Sequence, residues 1–86
     1  MTIFVIIPTT GDNAKLSDAI TNKLGPAAYQ LPRGEWLASY DGTSQDLSNV
    51  LGITEGTNGS AVVASISGYY GRAPTPVWEW IKGRWK

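Results

Sequence analysis

The chain has 86 residues, a formal net charge of zero, and neither histidine nor cysteine. Its size fits one domain, residues 1–86, and 42% hydrophobic against 16% charged residues is typical of a globular chain. Without imidazole and thiol groups, Ser-His-Asp and Cys-His catalytic sites, thiol redox motifs, disulfides and the usual zinc sites are excluded. We therefore predict no cofactor and no metal.

Charge is unevenly distributed along the chain. Residues 1–71 hold three basic and six acidic side chains, whereas residues 72–86 hold four basic and one acidic. The basic end also contains three of the four tryptophans. Such an asymmetry fits docking of the tail on the acidic body, and it equally fits an anionic partner.

The first twelve residues, MTIFVIIPTTGD, contain an apolar run but lack the positive region and the cleavage site of a signal peptide. No stretch of about 18 apolar residues is present to span a bilayer. We expect a cytoplasmic protein with no membrane partner.

The first two predicted elements are a strand and a helix. The β-branched run TIFVIIP, residues 2–8, lacks alternation, which predicts a strand covered on both faces. A helix follows, with Asp12 as N-cap and Gly25 at its end. Its apolar stripe consists of Leu16, Ile20 and Leu24.

Residues 27–42, AAYQLPRGEWLASYDG, alternate in polarity and predict a hairpin around PRGE. One face before the turn carries Tyr29 and Leu31, and one face after it carries Trp36, Ala38 and Tyr40. A second helix is predicted in TSQDLSNVLGI, where Thr43 and Asp46 have the spacing of a capping box. Gly52 follows it at the C′ position, and its stripe consists of Leu47, Val50 and Leu51.

The last elements are a strand over residues 61–71, AVVASISGYYG, and a terminal helix on VWEWIKGRWK. Thr75 and Pro76 have the types expected at the N-cap and the first helical position. The helical spacing predicts an apolar stripe of Trp78, Ile81 and Trp85, flanked by Val77, Trp80 and Arg84.

The predicted order is β-α-β-β-α-β with an added C-terminal helix, which indicates an α+β fold of the ferredoxin-like, split β-α-β type. Two helices cover only one face of such an antiparallel sheet. The other face would leave several hundred Å² of apolar surface in water, more than a monomer usually exposes. Either a second subunit or the terminal helix must cover it.

Two family resemblances bear on this topology. The segment IFVIIP, residues 3–8, is similar to the first-strand motif of RNA-recognition domains, but EWLASYDG lacks their Gly-aromatic pattern, so Phe4 is assigned no stacking role. In element order and size the chain resembles small subunits of CRISPR adaptation complexes and related toxin ribonucleases. Those carry an aspartate at the end of the first strand, where this sequence has Ile7-Pro8-Thr9. Neither resemblance implies an activity here.

We expect a non-enzymatic binding or regulatory module that forms a homodimer through its sheet face or its terminal helix. The alternative is a nucleic-acid-binding protein that uses the basic, aromatic C-terminal segment. A metal-assisted hydrolase built on Asp12 or Asp41 ranks third, because helix starts and turns already account for these carboxylates. The candidate binding residues are Tyr69, Tyr70, Arg72, Trp80, Lys82, Arg84, Trp85 and Lys86.

Overall fold

The computed structural model describes residues 2–9, 13–68, 71 and 73–85. In chain order these form β1 (Thr2–Pro8), α1 (Ala14–Leu24), a short 3-10 turn (Gly25–Ala27), β2 (Ala28–Gln30), β3 (Trp36–Tyr40), α2 (Ser44–Val50), β4 (Ala61–Ser65) and α3 (Thr75–Arg84). The four strands make one antiparallel sheet in the order β2-β3-β1-β4. An α+β fold is thus confirmed for the described part of the chain, with three α-helices.

One face of the sheet carries α1 and α2. Phe4 and Ile6 of β1 are fully buried there against Leu16 and Ile20 of α1. From the α2 side, Leu47 is also fully buried. The remaining buried members of this cluster between the sheet and the α1–α2 layer are Trp36, Ala38, Leu51 and Ile53. The predicted α1 stripe is therefore correct.

The ends of α2 follow local chemistry. The Thr43 main-chain N–H donates to Asp46 Oδ2 and the Asp46 N–H donates to Thr43 Oγ1, each at 3.0 Å, so the predicted capping box is formed. At the other end Gly52 has φ +73. The Ile53 N–H donates to the Ser48 carbonyl at 3.0 Å, the long bond of a Schellman motif, and the Ile53 side chain packs back into the cluster.

Most of the opposite face is covered by α3 of the same chain. Val77 and Ile81 are buried against Ile3 of β1 and Leu37 of β3. The partly buried residues packed around this α3-side cluster are Val5, Tyr29, Leu31, Ile66, Ala73, Trp78 and Trp80. Odd-numbered and even-numbered residues of β1 enter different clusters, so from Ile3 to Ile6 the strand is packed on both faces, as its uninterrupted apolar run predicts.

Several predicted boundaries and faces are wrong. β4 ends at Ser65 rather than at residue 71, and α3 already includes Thr75, which makes no side-chain cap. Val50 of α2 is 40% exposed instead of buried. The buried stripe of α3 is centred on Val77 and Ile81, and Trp85 is 36% exposed. The predicted N-cap Asp12 lies outside the described residues.

Candidate interaction surface

The two edges of the sheet differ in how well they are closed. At one edge, β2 has only three residues and is followed by a turn containing Pro32. At the other edge, β4 has five residues, and among the described residues it pairs only with β1. β4 is therefore the longer and less protected edge.

Hydrogen bonds on either side of β4 determine which of its main-chain groups point away from β1. The Ile66 N–H donates to the Ile3 carbonyl at 2.8 Å, and the Thr9 N–H donates to the Ser60 carbonyl at 3.0 Å. Both bonds continue the antiparallel register in which β4 pairs with β1. Along such a pair of strands, hydrogen-bonded and non-hydrogen-bonded residue pairs alternate. The even-numbered residues of β4 consequently bond β1. The main-chain groups that point away from β1 belong to Ala61, Val63 and Ser65.

We call these outward N–H and C=O groups the open edge of β4. Natural edge strands use charged residues and proline to prevent pairing with other chains. The sequence of β4, AVVAS, has neither. It is rich in alanine and valine, and both valines are β-branched residues that favour strands. The open edge thus has the chemistry of a strand prepared to accept another strand.

An apolar pair lies beside the open edge on the α3 face. Ile7 of β1 and Val62 of β4 are cross-strand partners and are 41% and 52% exposed. Further along the same face, Val5 and its partner Ala64 are half-buried, and Val5 packs into the α3-side cluster. The α3 helix therefore leaves one corner of this face uncovered. We call Ile7 and Val62 the corner patch.

The described part of the tail is held against the rest of the fold, which is one of the two arrangements that its composition allowed. Arg84 Nη2 donates to the Pro26 carbonyl at 2.6 Å, and the guanidinium carbon lies 5.1 Å from the centre of the Trp80 ring. The Trp80 ring is in turn 6.1 Å from the Tyr29 ring. This stack attaches the end of α3 to β2 and to the turn before it. Arg84 and Trp80 are therefore engaged within the fold.

The other predicted binding residues do not form a described site. Lys82 is exposed, and Trp85 is also exposed at the end of α3. The structure brings neither of them to the open edge of β4. Four of the predicted residues lie outside the described part of the chain: Tyr69, Tyr70, Arg72 and Lys86.

A shallow cleft of about 290 Å³ lies near the start of α2, lined by Thr2, Phe4, Gly42, Thr43, Ser44 and Ser65. Its most suitable donor, the Thr43 main-chain N–H, already bonds Asp46 in the capping box. Within the described ranges, no group of three or more acidic side chains is placed to hold a metal ion. The cleft offers no chemistry comparable to that of the open edge.

Sequence reasoning missed the open edge because it concentrated on the tyrosines and the basic tail. The neutral run AVVAS was the signal that could have identified it, once the predicted topology had placed the last strand at the side of the sheet. No helix in the part of the chain described by the structure has the length and apolarity needed to cross a membrane. Searches of protein-family models, curated proteins and solved structures gave no match to this chain.

Proposed function

We propose that this protein is a non-enzymatic binding module that associates with protein by adding a strand to the open edge of β4. The observation that carries the proposal is the outward direction of the main-chain groups of Ala61, Val63 and Ser65. Extended peptides bind such edges through main-chain hydrogen bonds, and neighbouring apolar side chains add selectivity.

The corner patch supports the same conclusion. An incoming strand next to β4 would lie against Val62, and burial of part of its exposed surface contributes apolar free energy in addition to the hydrogen bonds. The patch and the open edge are contiguous, since Val62 belongs to β4 itself. One docking strand would therefore use both features at once.

The fold around the edge is proposed to be a single ferredoxin-like domain. The sheet order β2-β3-β1-β4 supports this, as does the position of α1 and α2 in the connections that follow β1 and β3. In this arrangement β4 is an edge strand by topology. The open edge is then a property of the architecture and not of one irregular segment.

The nucleic-acid alternative has less support. It needs cationic and aromatic side chains that face a common ligand. Arg84 and Trp80 are stacked on each other and attached to Pro26, which leaves Lys82 and Trp85 as the exposed candidates among the described residues. A salt-sensitive quench of tryptophan emission by mixed-sequence single-stranded RNA would favour this alternative.

Strand addition is tested with the full chain and a capped synthetic peptide that copies residues 58–67. Residue-resolved amide exchange is measured with and without the peptide at about millimolar concentration, where weak strand pairing is populated. We expect slower exchange at Ala61, Val63 and Ser65, because a bound strand accepts their N–H groups. The amides of Val62 and Ala64, already bonded to β1, should change much less.

A matched pair of lysine variants provides the control. Val62→Lys places a charge in the corner patch and should weaken peptide binding by about tenfold or more, which corresponds to about 1.4 kcal/mol. Val50→Lys introduces the same change at a similarly exposed valine of α2 and should bind as the original chain does. Unchanged exchange at all three outward amides in the presence of the peptide would contradict the proposal.

A further inference from the structure

We infer that the partner at the open edge is a second copy of this chain, paired antiparallel with β4 about a two-fold axis at Val63. The inference rests on the proposed function and specifies its partner. It would join two four-stranded sheets into one sheet of eight strands.

The directions of the main-chain N–H and C=O groups along β4 favour this register. In a pairing centred on Val63, that residue faces its own copy, and Ala61 faces Ser65 of the second copy. These are the residues whose N–H and C=O groups point outward, so every pair falls on a hydrogen-bonded position of the new ladder. Shifting the centre to either end of the strand leaves outward groups without a partner. The edge is therefore complementary to itself in this register.

The sizes of the facing side chains also favour this register. The same register places Val62 opposite Ala64 of the second copy at a non-hydrogen-bonded pair, where side chains approach most closely. A valine and an alanine fill such a position without crowding. On the α3 face, Ile7 and Val62 of one copy would continue into Ala64 and Val5 of the other as one apolar row. The added strand thereby shields the outer flank of Val62 in each corner patch.

Charge and size determine the expected strength. β4 has no charged residue and the whole chain has a formal net charge of zero, so two copies approach without net repulsion. A five-residue strand is only about 17 Å long. The contact is smaller than the roughly 1,200 Å² of a standard interface. We therefore expect a reversible dimer at micromolar to millimolar chain concentration.

Single cysteines test the register, because the natural chain has none. Val63→Cys should form a disulfide dimer in a glutathione buffer, since the two Cα atoms would be about 5.5 Å apart. Ala61→Cys and Ser65→Cys should each stay monomeric alone, because identical positions are offset by about 13 Å along the strand. An equimolar mixture of these two variants should give a mixed dimer.

The expected result on non-reducing gels is at least tenfold more dimer for Val63→Cys than for either single control. Circular dichroism of each variant checks that it is folded, and sedimentation equilibrium of the unsubstituted chain measures association without any substitution. A dimer that cross-links through Ala61→Cys alone and not through Val63→Cys overturns this register but leaves the association function intact. A chain that stays monomeric at about 1 mM, with no cross-linking, overturns the second copy as partner. The peptide experiment then decides separately whether strand addition stands.

Discussion

Replacement of Ile81 by alanine measures how much α3 contributes to the fold. Ile81 is 5% exposed and belongs to the α3-side cluster with Ile3, Leu37 and Val77. The substitution removes three carbon groups, each worth about 0.8 kcal/mol of transfer free energy. The cavity adds to this loss, and the better helix propensity of alanine offsets about 0.5 kcal/mol. We expect the free energy of unfolding to fall by about 2–3 kcal/mol.

The assay is urea unfolding followed by tryptophan emission. With an m-value of about 1 kcal/mol/M for a chain of this size, the midpoint should fall by about 2–3 M. Lys82→Ala changes the next residue of the same helix, which is exposed, and should stay within about 0.5 kcal/mol of the original chain. If Ile81→Ala were as mild as Lys82→Ala, α3 would not be packed on the sheet as described and the second layer of the fold would be incorrect.

Three further predictions concern the tail and the glycines. Arg84→Ala should lower the free energy of unfolding by about 1–2 kcal/mol, because it removes the hydrogen bond to Pro26 and the stack on Trp80; an unchanged urea midpoint would mean that the tail is not attached there. Gly83→Ala should raise the free energy of unfolding by up to about 1 kcal/mol, and the melting temperature with it. An added Cβ meets no atom within 4 Å, and alanine has the better helix propensity. Gly52→Ala should lower the melting temperature, because φ is +73 there and an added Cβ would lie 2.5 Å from Nδ2 of the Asn58 side chain. A rise in melting temperature, as expected for Gly83→Ala, would contradict this.

Local sequence rules predicted those parts of the fold that depend on near neighbours. Thr43 and Asp46 form their capping box across three residues, and Gly52 takes the left-handed conformation that ends the helix. Leu16 and Ile20 are buried as their four-residue spacing indicates. The capping box and the glycine stop are completed within one or two helical turns, and the α1 stripe is a repeat within one helix. The local sequence therefore contains the information needed to predict all three.

Tertiary packing decided the rest. The spacing in the terminal helix allowed a stripe through Trp78 and Trp85, but the helix presents Val77 and Ile81 to the sheet. Valine and isoleucine are smaller than tryptophan and let the helix lie close to the sheet, whereas Trp78 and Trp80 are only partly buried beside them. The open edge of β4 likewise depends on which strand ends the sheet, a relation between distant segments that periodicity does not contain.

Strand pairing at the open edge is tested most directly by amide exchange of the unsubstituted chain at about 10 µM and about 1 mM, concentrations that span weak self-association. Pairing through β4 predicts that Ala61, Val63 and Ser65 exchange more slowly at the higher concentration, while Val62 and Ala64 exchange at the same rate at both. Identical rates for all five amides at both concentrations would contradict association of two copies through this edge.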